Sequence, residues 1–503
     1  MKPKQLRSLA IGLTLAAFLV ACDDDSSPSG PGNGGGDGGG NGGDVTNCDP
    51  GVLCEDLLES RTLYADTVYK LSGFIKVANG ATLTIEPGTR IVGDFDIPGS
   101  SLFVLRGAKI MAEGTATAPI VFTSERPVGQ RRPGDWGGVI IVGNGITNRG
   151  APTYIEGTGT SDINPLVDYS GGNDNDDDSG VLRYVRIEFA GFPTAPNEEL
   201  NSLTMAAVGR GTTIEYVQVL LGLDDSFEWF GGAVDGRYLI SYESADDHLD
   251  ASEGFVGRVQ HAIAFQSVQP EPRPGLAGGA ASDPQGIEND GCWAENCNAG
   301  DANRSASEPY TVPVFANFTL IGPPAGVWDS SSGNIGMMLR RGTGGLYVNG
   351  VVARYQREGT PAAGVSFRGD QTNERYEQGF FDIRNIYFTE NDQIFQDGPE
   401  PGSGEGAQYS LVLASHALED GTVPTAQLFR AFPVNTVGVS ADAFDWRPAA
   451  GSPIATGGLT DFSVLSPQLR QAAEGFVTPT PYRGAADPDG PAWWEGWTYY
   501  AHN

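Results

Sequence analysis

The chain has 503 residues, 71 of them Gly and 33 Pro, with only 19% charged residues and a formal net charge of −32. That composition favours many short strands and turns over long helices. The charge argues against nucleic acid as a partner, because phosphate would be repelled, and disfavours docking on anionic lipid heads; it suits calcium, a cationic partner or a solvated acidic surface.

Residues 1–21 have the three parts of a secretory signal. Lys2, Lys4 and Arg7 are the positive region, Leu9 to Val20 the apolar run, and Ala21 the small residue before the cut. The apolar run is shorter than the roughly 20 residues that span a bilayer, and no later stretch is long enough. Leu19-Val20-Ala21-Cys22 resembles the lipobox of bacterial lipoproteins. The resemblance implies cleavage before Cys22, acylation of its thiol, and a membrane anchor outside the cytoplasm. Residues 22–45 then read as a tether. Asp23 to Asp25 lead into Ser26 to Asp44, which carries no large apolar side chain and cannot repay its ordering entropy. A random coil of that length has its ends ~25 Å apart. The acidic residue after Cys22 resembles an inner-membrane retention signal of enteric bacteria, but other lineages read it differently. The expected address is the cell envelope, with the outer membrane or cell surface preferred.

Four further cysteines fall in two close pairs, Cys48/Cys54 and Cys292/Cys297. In an exported chain these read as disulfides, most simply paired within each couple, each pinning a surface loop. A zinc site is the alternative, but His is scarce and the spacing does not match.

Residues 46–455 repeat a strand unit. Tyr184 to Phe189, Tyr216 to Leu221, Tyr238 to Tyr242, Phe315 to Leu320, Tyr347 to Val352 and Ile383 to Phe388 are short, β-branched or aromatic and mostly alternating. The offsets from Tyr184 to Tyr216 and from Tyr216 to Tyr238 are 32 and 22 residues, one coil with and without an insertion. A single coil cannot bury its inward face, whereas stacked coils share a core. Asn317, Asn349 and Asn385 recur at one place in the unit, where Asn tolerates a left-handed turn and can bond its copy in the next coil.

Ala81-Thr82-Leu83-Thr84-Ile85-Glu86-Pro87-Gly88-Thr89 resembles the opening coil of bacterial right-handed β-helix proteins. Ser101 to Ser124 resembles their next coils, with a turn at Gly114-Thr115-Ala116 and a strand at Pro119 to Ser124; Trp136 to Ile141 is a further strand. Arg447 to Pro453 resembles the closing segment of β-helical polysaccharide-active proteins. With Tyr184 to Gly191, Asp224 to Glu228, Gly231-Gly232, Tyr482-Arg483-Gly484 and Gly496-Trp497-Thr498, the chain resembles a group of bacterial cell-surface lipoproteins with no agreed activity. The resemblance implies an all-β, right-handed parallel β-helix of pectin-lyase-like fold.

Three features carry candidate chemistry. Asp224, Asp225 and Glu228 precede Asp246, Asp247 and Asp250 by 22 residues, so they stack on neighbouring coils about 4.8 Å apart. Calcium could bridge them, one could keep its proton as a general acid opposite an ionised partner, or all could face water. Asp224, Asp225, Asp246 and Asp247 are thus the catalytic candidates, and Asp224 and Asp246 also candidate calcium ligands. His248 and His261 lie near but match no motif of β-helical pectin hydrolases. Asp174, Asp176 and Asp178 are spaced like a calcium loop, yet Gly is not sixth and Val185 stands twelfth where Glu is needed. Trp493, Trp494 and Trp497, with Tyr499 and Tyr500, crowd residues 456–503. They are either a sugar-stacking platform or, preferred, a cap over the end of the solenoid. Ser466-Pro467 before Gln468 to Glu474 predicts a short N-capped helix in that cap.

No phosphate loop, G-x-S-x-G elbow, HExxH or nucleophilic-Cys setting is present. The sequence therefore predicts a lipid-anchored β-helix that binds a glycan or an envelope partner without catalysis. A polysaccharide hydrolase or lyase using the stacked Asp residues, and an accessory lipoprotein of an outer-membrane receptor, are the alternatives.

Overall fold

A computed structural model describes residues 48–276, 284–328, 333–358, 361–398 and 416–501. The signal, Cys22 and the tether lie outside the described residues. The strands pair in parallel in one 17-stranded and one 10-stranded sheet, here sheets I and II. One coil runs along Thr213–Leu220 in sheet I, turns a corner, continues as Phe227–Phe230 in sheet II and returns to sheet I as Asp235–Tyr242. Val217 registers with Leu239 and Phe227 with Leu249, so the 22-residue offset is one coil. Stacking such coils gives a right-handed parallel β-helix. Alternate side chains point inward, and Val217, Val219, Phe227, Trp229, Leu239 and Leu249 belong to one buried core that runs from Leu53 to Leu418. Each such side chain contributes about 1.5–3 kcal/mol by leaving water.

The sheet I strands extend further than the sequence predicts. Gly180–Glu188 begins before Tyr184, because Val181 to Arg183 pair with Met111 to Glu113. Tyr184 does not open its strand but bends it. Tyr184, Tyr216, Tyr238, His261, Asn317, Asn349 and Asn385 share one register position, and all have φ between 51° and 67°. This left-handed column folds sheet I into two faces and gives each coil a triangular section. Asn tolerates that conformation; for Tyr and His it costs roughly 1–2 kcal/mol. Stacking offsets that cost: Tyr184, Tyr216 and Tyr238 stack at 4.4 and 4.5 Å between ring centroids.

The three asparagines bond no copies of themselves. Instead the C-terminal segment, residues 456–501, lies along this column. Asn385 donates to Gly457 O at 2.8 Å, and Asn349 accepts the Leu459 N–H at 2.6 Å. Asn317 donates to Thr480 Oγ1 at 2.8 Å, and Ala485 O meets His261 Nδ1 at 3.1 Å. Trp493 packs on Tyr238 at 5.2 Å, and Trp497 stands edge-on to Tyr184 and Tyr216 at 5.8 and 6.2 Å. The segment is thus a strap along the flank, not a lid over an open end. The predicted helix is Pro467–Ala473, with Ser466 Oγ accepting the Leu469 N–H. Asp445–Pro448 pairs antiparallel with Phe429–Ala431, outside the stack of coils.

Both disulfides form as expected, Cys48–Cys54 and Cys292–Cys297. A long insertion between Gly138–Val142 and Gly180–Glu188 folds over sheet II. Its Ile155, Val167 and Tyr169 pack with Leu200 against Phe103, Ile140 and Ala206. Buried Glu253 anchors it, accepting from Tyr169 Oη and from Arg149 Nη1, each at 2.5 Å. Arg149 and Asn296 tie it further to the Cys292–Cys297 loop, through Glu295 O at 3.2 Å and Pro152 O at 3.1 Å.

Candidate functional site: an acidic trough on sheet II

Sheet II turns one column of side chains outward: Phe103, Ile140, Thr204, Glu228, Asp250, Glu288 and Met338, each registered on the next. The insertion covers the apolar start of this column. Three carboxyl groups follow in succession, and the preceding corner adds Asp224 and Asp225 from one coil and Asp246 and Asp247 from the next. Carboxylate oxygens of Asp224, Asp225 and Asp246 lie within 4.8 Å of one another; so do those of Asp225, Glu228 and Asp250, and of Asp247, Asp250 and Glu288. All four predicted candidates are therefore brought together, in one line with Glu228, Asp250 and Glu288.

Two of the seven already hold the backbone. Asn201 Oδ1 accepts the Asp225 N–H at 3.2 Å, Asp225 Oδ1 the Asp247 N–H at 2.9 Å, Asp247 Oδ1 the Gln285 N–H at 2.6 Å, and Gln285 Oε1 the Ile335 N–H at 2.9 Å. This is the coil-to-coil ladder that the sequence placed on Asn317, Asn349 and Asn385. It sits here because the corner's N–H groups, taken out of the sheets, need acceptors.

Burial pushes Asp224, Asp225, Glu228 and Asp250 well above the usual carboxylate range. The next largest influence on each is another carboxylate: Asp246 on Asp224, Asp247 on Asp225, Asp250 on Glu228 and Glu288 on Asp250. Solvent reaches the line at Asp246 and Asp250, which are part-exposed. One oxygen of Asp250 is buried without a hydrogen bond. Arg340 and Arg341 close the far end, holding Asp290 at 2.9 and 2.5 Å, and Arg340 also holds Glu288.

Glu156 of the insertion and Glu199 of the hairpin at Pro193–Ala195 and Glu198–Glu199 act on this floor from above. Glu156 is open to solvent yet deeply surrounded by protein, as a wall residue of a trough is. Burial, then Glu199 and Glu198, lift its carboxyl to about 7. Sequence reasoning missed Glu156, Glu199 and Glu288. Glu288 lies in Gln285–Asp290, whose single large apolar residue, Ile287, gives no alternation to read.

Calcium ligands sit about 2.3–2.6 Å from the ion, so two of them are at most about 5 Å apart. The three carboxylate groups meet that limit, and hard oxygens are the donors calcium takes. The residues present fit the ion.

A family model described as the pectate-lyase like beta helix domain matches residues 55–406. The chain belongs to this family. No curated protein matches the sequence. A solved structure similar to this pectate-lyase-like chain is the Dettilon tailspike protein, at 9% identity and a TM-score of 0.21, over 66% of this chain and 61% of that one. The chain thus spans about three-fifths of that protein's length.

The other candidates are not assembled into sites. Asp174 Oδ1 accepts the Asp176 N–H at 2.9 Å, and Asp178 pairs with Lys109 at 2.6 Å and accepts the Gly180 N–H. Among the described residues, Asp174, Asp176 and Asp178 are not one of the carboxylate groups that converge within 4.8 Å. Trp493, Trp494 and Trp497 are buried, with indole N–H groups bonded to Ala485 O, Phe444 O and Trp493 O. They offer no open face for a sugar, because Trp493 and Trp497 pack on the tyrosine column and Trp494 stands edge-on to Trp493. His248 is buried against Ser241 Oγ at 2.5 Å, and burial lowers it to about 4. Asp94, Asp96 and Glu125 form a further acidic group, two of whose members pair with Lys70, Glu125 at 2.8 Å and Asp94 at 3.6 Å.

Proposed function

We propose that this protein recognises a glycan at the cell envelope through the acidic trough on sheet II, with calcium as the ion that makes the trough a binding face. The observation that carries this reading is the line of interlocked carboxylates from Asp224 to Glu288. Like charges that close cannot all ionise, and a divalent cation removes the conflict while leaving coordination positions for sugar oxygens. Membership of a family described by a glycan-active enzyme supports the ligand class. Two disulfides fit an oxidising compartment, and a lipid on Cys22 would hold the protein there. Calorimetric titration of the mature chain with calcium, followed by a glycan array with and without a chelator, tests the proposal. Calcium-dependent glycan binding lost in Asp224→Asn/Asp246→Asn supports it; glycan binding unchanged by chelator and by that variant overturns it.

One observation favours a second reading, polysaccharide hydrolysis. Glu156, lifted to about 7, is poised as a proton donor opposite carboxylates of the floor. Sugar release abolished by Glu156→Gln with calcium binding intact would establish hydrolysis in place of recognition.

A further inference from the structure

A cavity of about 610 Å³ lies between the corner turns of successive coils and the Pro467–Ala473 helix. It shares no residue with the acidic trough. Arg210 is its distinctive group. One Nη donates to Val256 O at 2.9 Å, and among the described residues no carboxylate lies within ion-pair distance of it, in a chain with 63 acidic and 31 basic residues. Arg258, in the same wall, already pairs with Asp235 and donates to Glu474 O. An arginine left without an anion beside an apolar cavity is a charge waiting for a ligand carboxylate.

The rest of the lining selects what carries that carboxylate. Val256, Val312 and Ala472 form an aliphatic pocket beside Arg210. Tyr310 and Phe380 meet edge to face, 75° between ring planes and 5.6 Å between centroids, so they present no flat platform for a sugar ring. A second cavity of about 410 Å³ shares Pro309, Tyr310 and Phe380 with the first and prolongs it. We propose that this groove captures the free C-terminus of an extended peptide: the terminal carboxylate on Arg210, an apolar last side chain in the aliphatic pocket, and the preceding residues along the second cavity. Capture of a terminal carboxylate is an established mode of peptide recognition.

The test uses the mature chain and a fluorescein-labelled hexapeptide ending in leucine, as free acid and as C-terminal amide, read by fluorescence anisotropy. The free acid is expected to bind at least tenfold more tightly than the amide. Arg210→Gln removes that difference. Ala472→Trp, which fills the cavity from the helix, abolishes binding of both peptides without changing the thermal midpoint, and so reads the site even if the Arg210 variant folds poorly. Equal affinity for acid and amide, no saturable binding of either, or binding of a uronate oligosaccharide in place of the peptide overturns the proposal.

Discussion

The Gln218 side chain donates to Tyr499 O at 2.6 Å and accepts the Tyr499 N–H at 2.8 Å, across 281 positions of sequence. Gln260 holds Thr478 in the same way, at 2.8 and 3.0 Å. Each amide acts as a strand neighbour to a segment that has none. Removing one clamp deletes both hydrogen bonds to the strap and strands two backbone groups, and for Gln260 also the bond to Asn317 Oδ1, so Gln218→Ala and Gln260→Ala should each cost about 1–3 kcal/mol. Urea unfolding measures this, and proteolysis within residues 456–501 should speed up alongside.

Trp497 is fully buried over two strained tyrosines. Trp497→Ala should cost about 3–5 kcal/mol, more than either clamp. A loss under 1 kcal/mol in the same unfolding experiment would show that the strap contributes little to stability.

The trough gives a pH dependence of definite sign. Carboxyls raised in the folded chain, such as Asp224, Glu228 and Glu156, bind protons that the unfolded chain has released. Their contribution is fully present below the unfolded values near 4–4.5 and is lost as pH rises through the folded ones. Without calcium, the thermal midpoint should therefore fall as pH goes from 5 to 8. Calcium should restore it at pH 8 and change little at pH 5, where protons occupy the same oxygens. Calorimetric scans at the two pH values, with calcium or chelator, decide this.

Asp225 separates two roles. Asn at this position keeps the acceptor for the Asp247 N–H and removes a charge, so Asp225→Asn should fold with stability within about 1 kcal/mol of the parent, whereas Asp225→Ala loses about 1–3 kcal/mol. Both should weaken calcium binding. A cation affinity untouched by either would remove Asp225 from the ligand set.

Cys22→Ser should move the protein from membrane to soluble fractions, read by detergent-free fractionation and blotting. Continued sedimentation with membranes would contradict the anchor.

Much of the fold was legible because stacked coils repeat their register. The 22-residue step from Tyr216 to Tyr238 and from Asp224 to Asp246 is visible as a number, and it placed four of the seven line carboxylates in contact, with Glu228 and Asp250 beside them. What stayed hidden lies in insertions and long-range packing. Glu156 and Glu288 belong to or follow segments that break the period, so no offset points to them. The direction of the strap was hidden for another reason. A Trp-rich segment buries its rings equally well on an end or on a flank, and only the amides of Gln218, Gln260 and Asn349, unremarkable in sequence, choose the flank.

A solenoid held only by its neighbours can in principle grow coil by coil as it leaves the ribosome. The strap denies this protein that freedom. Trp497 and Tyr499 return to the coils that carry Tyr184 and Tyr216, so coils made early wait for residues made some three hundred positions later before their flank is sealed. Truncations that spare every coil should therefore still leave an unfinished molecule, and folding should complete as one late, concerted event.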